Sequence, residues 1–184
     1  MSIMLIHPNN QWHWLFDPDK SAMTLELGDE LLFVSALTTQ RCVPYAQGDQ
    51  PFSTEHAELY YAFLEGLDSF EWPAPVKVHV VLNAVAMVLF HKPMMPQSWF
   101  FKPIAHQYFT KLTVGEVVVC QGQEGNGRFV LLESNEKSYT LMYIDKQLSL
   151  DGIKHLQQFD TIKVMHDRVL PLRTAQSLGF ARSA

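Results

Sequence analysis

Residues 76–101 read VKVHVVLNAVAMVLFHKPMMPQSWFF, an apolar stretch that runs straight into a turn marked by two prolines. From Val76 to Phe90 apolar side chains occupy almost every face of a helix, the pattern of a helix buried inside a domain rather than laid on its surface. Pro93 and Pro96 forbid its continuation, because each removes a backbone donor and drives the preceding residue toward extended geometry. Residues 92–101 are therefore expected as a fixed irregular loop holding Trp99, Phe100 and Phe101 beside Lys92 and Lys102, a shape suited to binding.

Upstream, Trp12, Trp14 and Phe16 alternate with Gln11, His13 and Leu15, the period-two pattern of a strand with one aromatic face. The runs 23–27 and 31–35 flank Gly28-Asp29-Glu30, which favours a hairpin and an opening antiparallel sheet of about three strands. The hairpin puts Leu25 and Leu27 on one side, where they cover the core or, if exposed, mark an interaction site. Residues 38–51 lack a period and read as a surface loop. A helix then starts at a Ser53 or Thr54 cap, with Ala57, Tyr60, Tyr61, Leu64 and Leu67 at helical spacing. Trp72, Pro73 and Pro75 turn the chain before the buried helix, with Pro75 suited to its first turn.

Beyond Lys102 the texture changes to short apolar runs over 116–121, 128–133, 139–144 and 161–165, which read as strands joined by turns at Gly125-Asn126-Gly127 and Asn135-Glu136-Lys137. Short strands without a convincing helix indicate a small barrel or sandwich. The tail from Thr174 is small and polar and is expected to be mobile. The chain is thus expected to be α+β: an N-terminal α/β domain over residues 1–102, with a small antiparallel sheet and two helices, followed by a C-terminal β-barrel-like domain over residues 103–184.

At 184 residues the chain admits one domain or two, each able to bury a core. Its 47% hydrophobic and 18% charged content excludes a disordered chain, and its net charge of −5 argues against a general nucleic-acid binder while leaving room for a local basic patch. No secretory signal is expected, since residues 1–6 are followed at once by His7 and Pro8, so a cytoplasmic location is expected. The longest apolar run is shorter than the roughly 20 residues a bilayer requires, so no membrane span is expected.

Motifs of chemistry are sparse. Gly122, Gly125 and Gly127 read as a hairpin turn supplied with positive φ rather than a phosphate loop, because no Lys-Ser or Lys-Thr follows and the next element reads as a strand. The histidines show no ligand spacing, and Cys42 and Cys120 belong to no CxxC pair, so neither metal nor cofactor is expected. No nucleophile motif is present, and Glu55, Glu58, Asp160 and Asp167 have no identifiable catalytic partner. Lys163 and Arg168, in DTIKVMHDRVLP, read either as partners of Asp160 and Asp167 or, with Lys92, as the basic rim of an apolar pocket for an acidic, hydrophobic peptide.

Four segments in order, QWHWLFD, LELGDELLFVS, VLNAVAMVLFHKPMMPQSWFF and FDTIKVMHDRVLP, resemble the ZapC family of Z-ring-associated cell-division proteins. Gln97 stands where that family often has a lysine, and Thr24 where it often has an apolar residue. The resemblance implies a non-enzymatic, cytoplasmic, monomeric protein at the midcell division ring. Such a protein binds FtsZ, whose filaments are acidic, and promotes their lateral association, lowering GTPase turnover. It also implies binding pockets in both domains, with Leu25 at the first and Lys92, Lys163 and Arg168 at the second; Trp99 joins them from the loop reading. The competing expectation is a ligand-binding or enzymatic β-barrel that uses residues 99–101 as a pocket.

Overall fold

The computed structural model describes residues 5–46 and 48–180. The chain is α+β, with three helices and three antiparallel sheets among the described residues. It divides into two units, Met1–Leu64 with Trp72–Pro93, and Glu65–Glu71 with Met94–Ala184. The first domain was expected to end at Lys102; contact grouping puts residues 94–102 with the second unit.

In the first unit, β1 (His13–Asp17), β2 (Ala22–Glu26), β3 (Leu32–Thr38) and β4 (Asp49–Pro51) form one sheet in the order β3-β2-β1-β4. Register places Trp14, Leu25 and Phe33 side by side, and all three are buried. The β2–β3 turn needs left-handed backbone at Gly28, Asp29 and Glu30 (φ 81°, 50° and 63°), and it is closed by Leu27 N–H donating to the Leu31 carbonyl and Leu31 N–H to the Gly28 carbonyl, both at 2.9 Å. β4 corrects the expected loop over 38–51. Three residues ending in proline carry no readable alternation, and proline is tolerated there because β4 is an edge strand.

Helix α1 (Thr54–Gly66) is capped by a reciprocal pair. Ser53 Oγ accepts the His56 N–H at 3.3 Å, and His56 Nδ1 accepts the Ser53 N–H at 3.2 Å, so histidine takes the place that Glu or Gln fills in a capping box. Trp14 Nε1 donates to the same Nδ1 at 3.3 Å. The ring must therefore be neutral with its proton on Nε2, and desolvation holds its pKa below the ordinary value. The buried residues of the helix are Tyr60 and Phe63, whereas Tyr61 is exposed and stacks on His7.

Helix α2 (Ala74–Phe90) starts with Pro75 in its first turn and is buried without a break from Val80 to Met87. It packs on β3, and Trp14 meets Phe90 edge-on at 5.4 Å. Each large apolar side chain so buried contributes about 1.5–3 kcal/mol. One buried position is polar: Asn83 Oδ1 accepts the Ala36 N–H of β3 at 2.7 Å, and its Nδ2 donates to the His79 carbonyl at 2.9 Å. Asn83 thereby gives a backbone donor of the edge strand a partner from the helix.

The second unit holds β5 (Val117–Gln121), β6 (Asn126–Ser134), β7 (Ser138–Tyr143), β8 (Gln147–Ser149), β9 (His155–Gln157), β10 (Thr161–Met165), β11 (Leu170–Pro171) and α3 (Leu172–Ser177). Five strands form one antiparallel sheet, β10-β7-β6-β5-β11, and β8 pairs with β9 in a separate ribbon. No closed barrel is found among the described residues; the barrel-like expectation is met loosely, by a ribbon and an open five-stranded antiparallel sheet. Its core centres on Phe129, Leu131 and Leu141. Residues 65–71 are tied in by Arg128, which forks onto Asp145 (2.6 and 3.1 Å) and lies 5.3 Å from the Phe70 ring centroid.

Two readings of this half are corrected. The β5–β6 glycines are not there for positive φ, since none of Gly122, Gly125 and Gly127 adopts it. They are there for space: a Cβ on Gly122 would meet the Gly125 carbonyl oxygen at 2.6 Å, and one on Gly127 would meet Leu148 and Phe129 at 2.8 and 2.9 Å. The tail from Thr174 is also ordered in part. Gly179 (φ 78°) closes α3 in a Schellman motif, with Phe180 N–H donating to Ala175 O at 2.8 Å, and Ala175 is fully buried. Among the described residues no helix is long and apolar enough to cross a membrane.

Two tests arise from the first unit. Asn83→Ala removes the acceptor of the Ala36 N–H and should cost about 1–3 kcal/mol in urea melts; an unchanged midpoint would dismiss the edge-capping role. Burial also lowers the pKa of His56, His79 and His91 from 6.5, so the unfolded chain binds more protons than the folded one once pH falls below that value. The stability they leave intact above 6.5 is lost as pH falls toward their lowered folded values, so melting temperature should drop between about pH 7.5 and 5.5. His56→Gln keeps a capping-box residue without a titrating ring and should flatten part of that drop.

Candidate functional site

The proline-marked segment after α2 is fastened to the edge of the second unit's sheet. Gln97 N–H donates to the Lys163 carbonyl of β10 at 2.7 Å. Ser98, in a short 3₁₀ turn over Ser98–Phe100, is held twice: its Oγ accepts the Met165 N–H at 2.8 Å and its carbonyl accepts Arg168 Nε–H at 3.2 Å. Phe100 and Phe101 then enter the sheet core, Phe101 meeting Phe129 edge-on at 6.0 Å. Trp99, between Ser98 and Phe100, is left 65% exposed. An indole on a backbone fixed at three points loses little entropy when a partner covers it.

Cationic residues lie along the segment that carries this ring. Lys154 Nζ donates to Gln97 Oε1 at 3.0 Å and lies 5.1 Å from the Phe100 ring centroid, while Trp99 and Phe100 are 5.5 Å apart. Lys163 is half-buried on β10, its carbonyl engaged by Gln97. Arg168 pairs with Asp167 at 2.5 Å, so its charge is partly neutralised and its guanidinium also serves as a fastener of Ser98. Met95, 82% exposed, adds apolar surface to the same segment. Together these groups suit an apolar side chain accompanied by carboxylates.

Arg168 meets Ser98 next to Trp99, and the Lys163 carbonyl holds the neighbouring Gln97; Lys92, which was expected beside Lys163 and Arg168, belongs to the other unit. Leu25 and Lys92 lie in the first unit. Leu25 is wholly buried between Trp14 and Phe33, so it offers no surface of its own and shapes its neighbours instead. The open apolar surface nearby is a cleft of about 250 Å³ lined by Leu27, Leu31, Leu32, Phe33, Val78 and Leu82. Lys92 is exposed just beyond α2, donates from Nζ to the Gln40 carbonyl at 2.8 Å, and edges a smaller cleft of about 180 Å³ with Phe16, Cys42 and Val43. Burial pushes the Cys42 thiol up, and the buried Cys120 thiol further, which keeps both protonated and unreactive.

A pocket formed jointly by residues 99–101 is not built, because Phe100 and Phe101 are core residues and only Trp99 faces outward. Lys154 and Met95 escaped the sequence reading. The Asp151-Gly152 dipeptide was the available signal for Lys154: Asp151 accepts the Ile153 and Lys154 N–H groups at 2.9 and 2.6 Å, and these bonds hold its pKa low and turn β8 back into β9.

Family descriptions match both parts of the chain: "Cell-division protein ZapC, N-terminal" over residues 5–92, and "Cell-division protein ZapC, C-terminal" over residues 93–175. Among curated relatives, the Cell division protein ZapC of Aeromonas hydrophila subsp. hydrophila is 35% identical over 175 residues, covering 95% of this chain and 97% of that one. The proteins of the same description from Ferrimonas balearica and Shewanella woodyi are 34% and 31% identical, covering 93% and 98% of this chain and 95% and 99% of their own. Two family descriptions spanning residues 5–175 and near full-length relatives above 30% identity place this chain in the ZapC family of cell-division proteins.

Proposed function

We propose that this protein binds FtsZ filaments at the Z-ring and promotes their lateral association, acting in the cytoplasm as a monomer without catalysing a reaction. The observation that carries this reading is Trp99, exposed next to a segment that three hydrogen bonds of Gln97 and Ser98 fasten beside Lys154, Lys163 and Arg168. An exposed aromatic on a rigid turn is the commonest kind of binding hot spot, and neighbouring cations steer an acidic filament toward it. Lys92, exposed beside the smaller cleft of the first unit, supplies a second surface. A monomer with two contact surfaces can join two filaments. Slower GTP turnover would follow from stabilised filaments and needs no catalytic group here.

The test is co-sedimentation of the purified protein with FtsZ in GTP against GDP, with bundles counted by electron microscopy. Trp99→Ala should weaken pelleting by about 2 kcal/mol or more, roughly thirty-fold, with the melting curve unchanged because the ring is exposed. Undiminished pelleting would dismiss the site. Lys163→Glu should also weaken pelleting, most at low salt, since exposed charges are screened beyond a Debye length of roughly 10 Å at 0.1 M. Arg168→Glu is expected to lower the melting temperature as well, because it removes the bond to the Ser98 carbonyl and sets two carboxylates side by side.

A further inference from the structure

The opening sheet has a second face that the reading above does not use. Its inner row, Trp14-Leu25-Phe33, is buried; its outer row is Leu15-Thr24-Val34, with Leu32 in the next row. Outward positions of an antiparallel sheet with one buried face are ordinarily polar. Here Leu15, Leu32 and Val34 are 37%, 39% and 40% exposed. Thr24 between them adds no free donor, because its hydroxyl donates to the Leu15 carbonyl at 2.6 Å. The exposed apolar groups of this face are therefore Leu15, Leu32 and Val34, on the strands either side of a buried Thr24.

Its surroundings carry one sign of charge. The four strands and the tight turns joining β1, β2 and β3 contain six carboxylates, Asp17, Asp19, Glu26, Asp29, Glu30 and Asp49, against one lysine, Lys20. Lys20 is spent on Asp17 at 2.9 Å. The rest of the chain has thirteen residues of each sign, so the entire net charge of −5 resides in this sheet. That field repels an acidic filament, a nucleic acid and an anionic membrane, and it sets carboxylates against carboxylates if two copies stack face to face.

We propose that the outer face of the first sheet docks a basic, amphipathic protein segment. Its Leu or Val side chains cover Leu15 and Val34, and its Lys or Arg side chains reach the surrounding carboxylates. The partner is therefore not the acidic one met by the Trp99 surface, and the two surfaces are independent.

The full-length protein would be titrated with three fluorescent peptides of equal length: alternating Leu-Lys, alternating Ser-Lys with the same charge, and alternating Leu-Glu. The Leu-Lys peptide is expected to bind about ten-fold more tightly than Ser-Lys, with no binding of Leu-Glu. Amide shift changes should concentrate on β1, β2 and β3. Leu15→Thr with Val34→Thr keeps strand-forming residues at both positions and should erase the Leu-Lys advantage; Glu26→Lys with Asp29→Lys should weaken Leu-Lys about ten-fold by a separate, salt-sensitive route. Equal affinity for Leu-Lys and Ser-Lys, an advantage that survives the threonine pair, or shift changes centred on the second unit would each overturn the proposal.

Discussion

A helix whose side chains are buried at every position from Val80 to Met87 has no side that can face water, and the first unit is arranged to meet that demand. The sheet row Trp14-Leu25-Phe33 covers one flank, and aromatic rings fill in around it: Trp14 against Phe90, Trp12 against Phe52 and Tyr60. Such all-round burial makes the single polar member costly unless it is satisfied. Asn83 is, at both ends of its amide, and in being so it seals the β3 edge. The same residues therefore settle helix burial, sheet edge and register together.

The abrupt end of that helix has a different consequence. Pro93 and Pro96 leave the next residues without a periodic backbone ladder, so their polar groups must find partners one at a time. They find them on β10 and the turn after it, through Gln97 and Ser98. Because Phe100 and Phe101 are drawn into the core, the residue before them has nowhere to go but out. The exposure of Trp99 is in this sense a by-product of how its neighbours are buried, and it costs no flexible lid or loop.

Elements with strong periodicity were legible from sequence: α2 from its apolar run, the β2–β3 hairpin from Gly28-Asp29-Glu30, and β5, β6, β7 and β10 from β-branched runs between turns. The elements missed, β4, β8, β9, β11 and α3, are two to six residues long, too short for a period to show, and they exist because tertiary partners supply the other half of each ladder. Site legibility divided along the same line. Trp99, Lys163 and Arg168 were readable as residue types, yet the tie of Arg168 to Ser98 depends on residues 70 positions apart. Burial of Leu25 was one of two outcomes left open, because alternation says which residues share a face and not which face is covered. Glycine misled for a related reason: the absent side chain at 122 makes room for the Gly125 carbonyl within the turn, and the one at 127 for Leu148 and Tyr143 far along the chain, which no local rule encodes.

Charge distribution carries the argument one step beyond composition. A net charge of −5 spread evenly would weaken any electrostatic case for an acidic partner. Confined to one sheet, it does the opposite, since the remainder of the chain is balanced, with thirteen carboxylates against thirteen lysines and arginines. Screening limits the reach of the acidic sheet to roughly one Debye length, about 8 Å at physiological salt, so surfaces farther apart than that act on partners separately. A chain of modest size can therefore present one apolar surface edged with cations and another framed by carboxylates. Sign, more than area, then selects what each will accept.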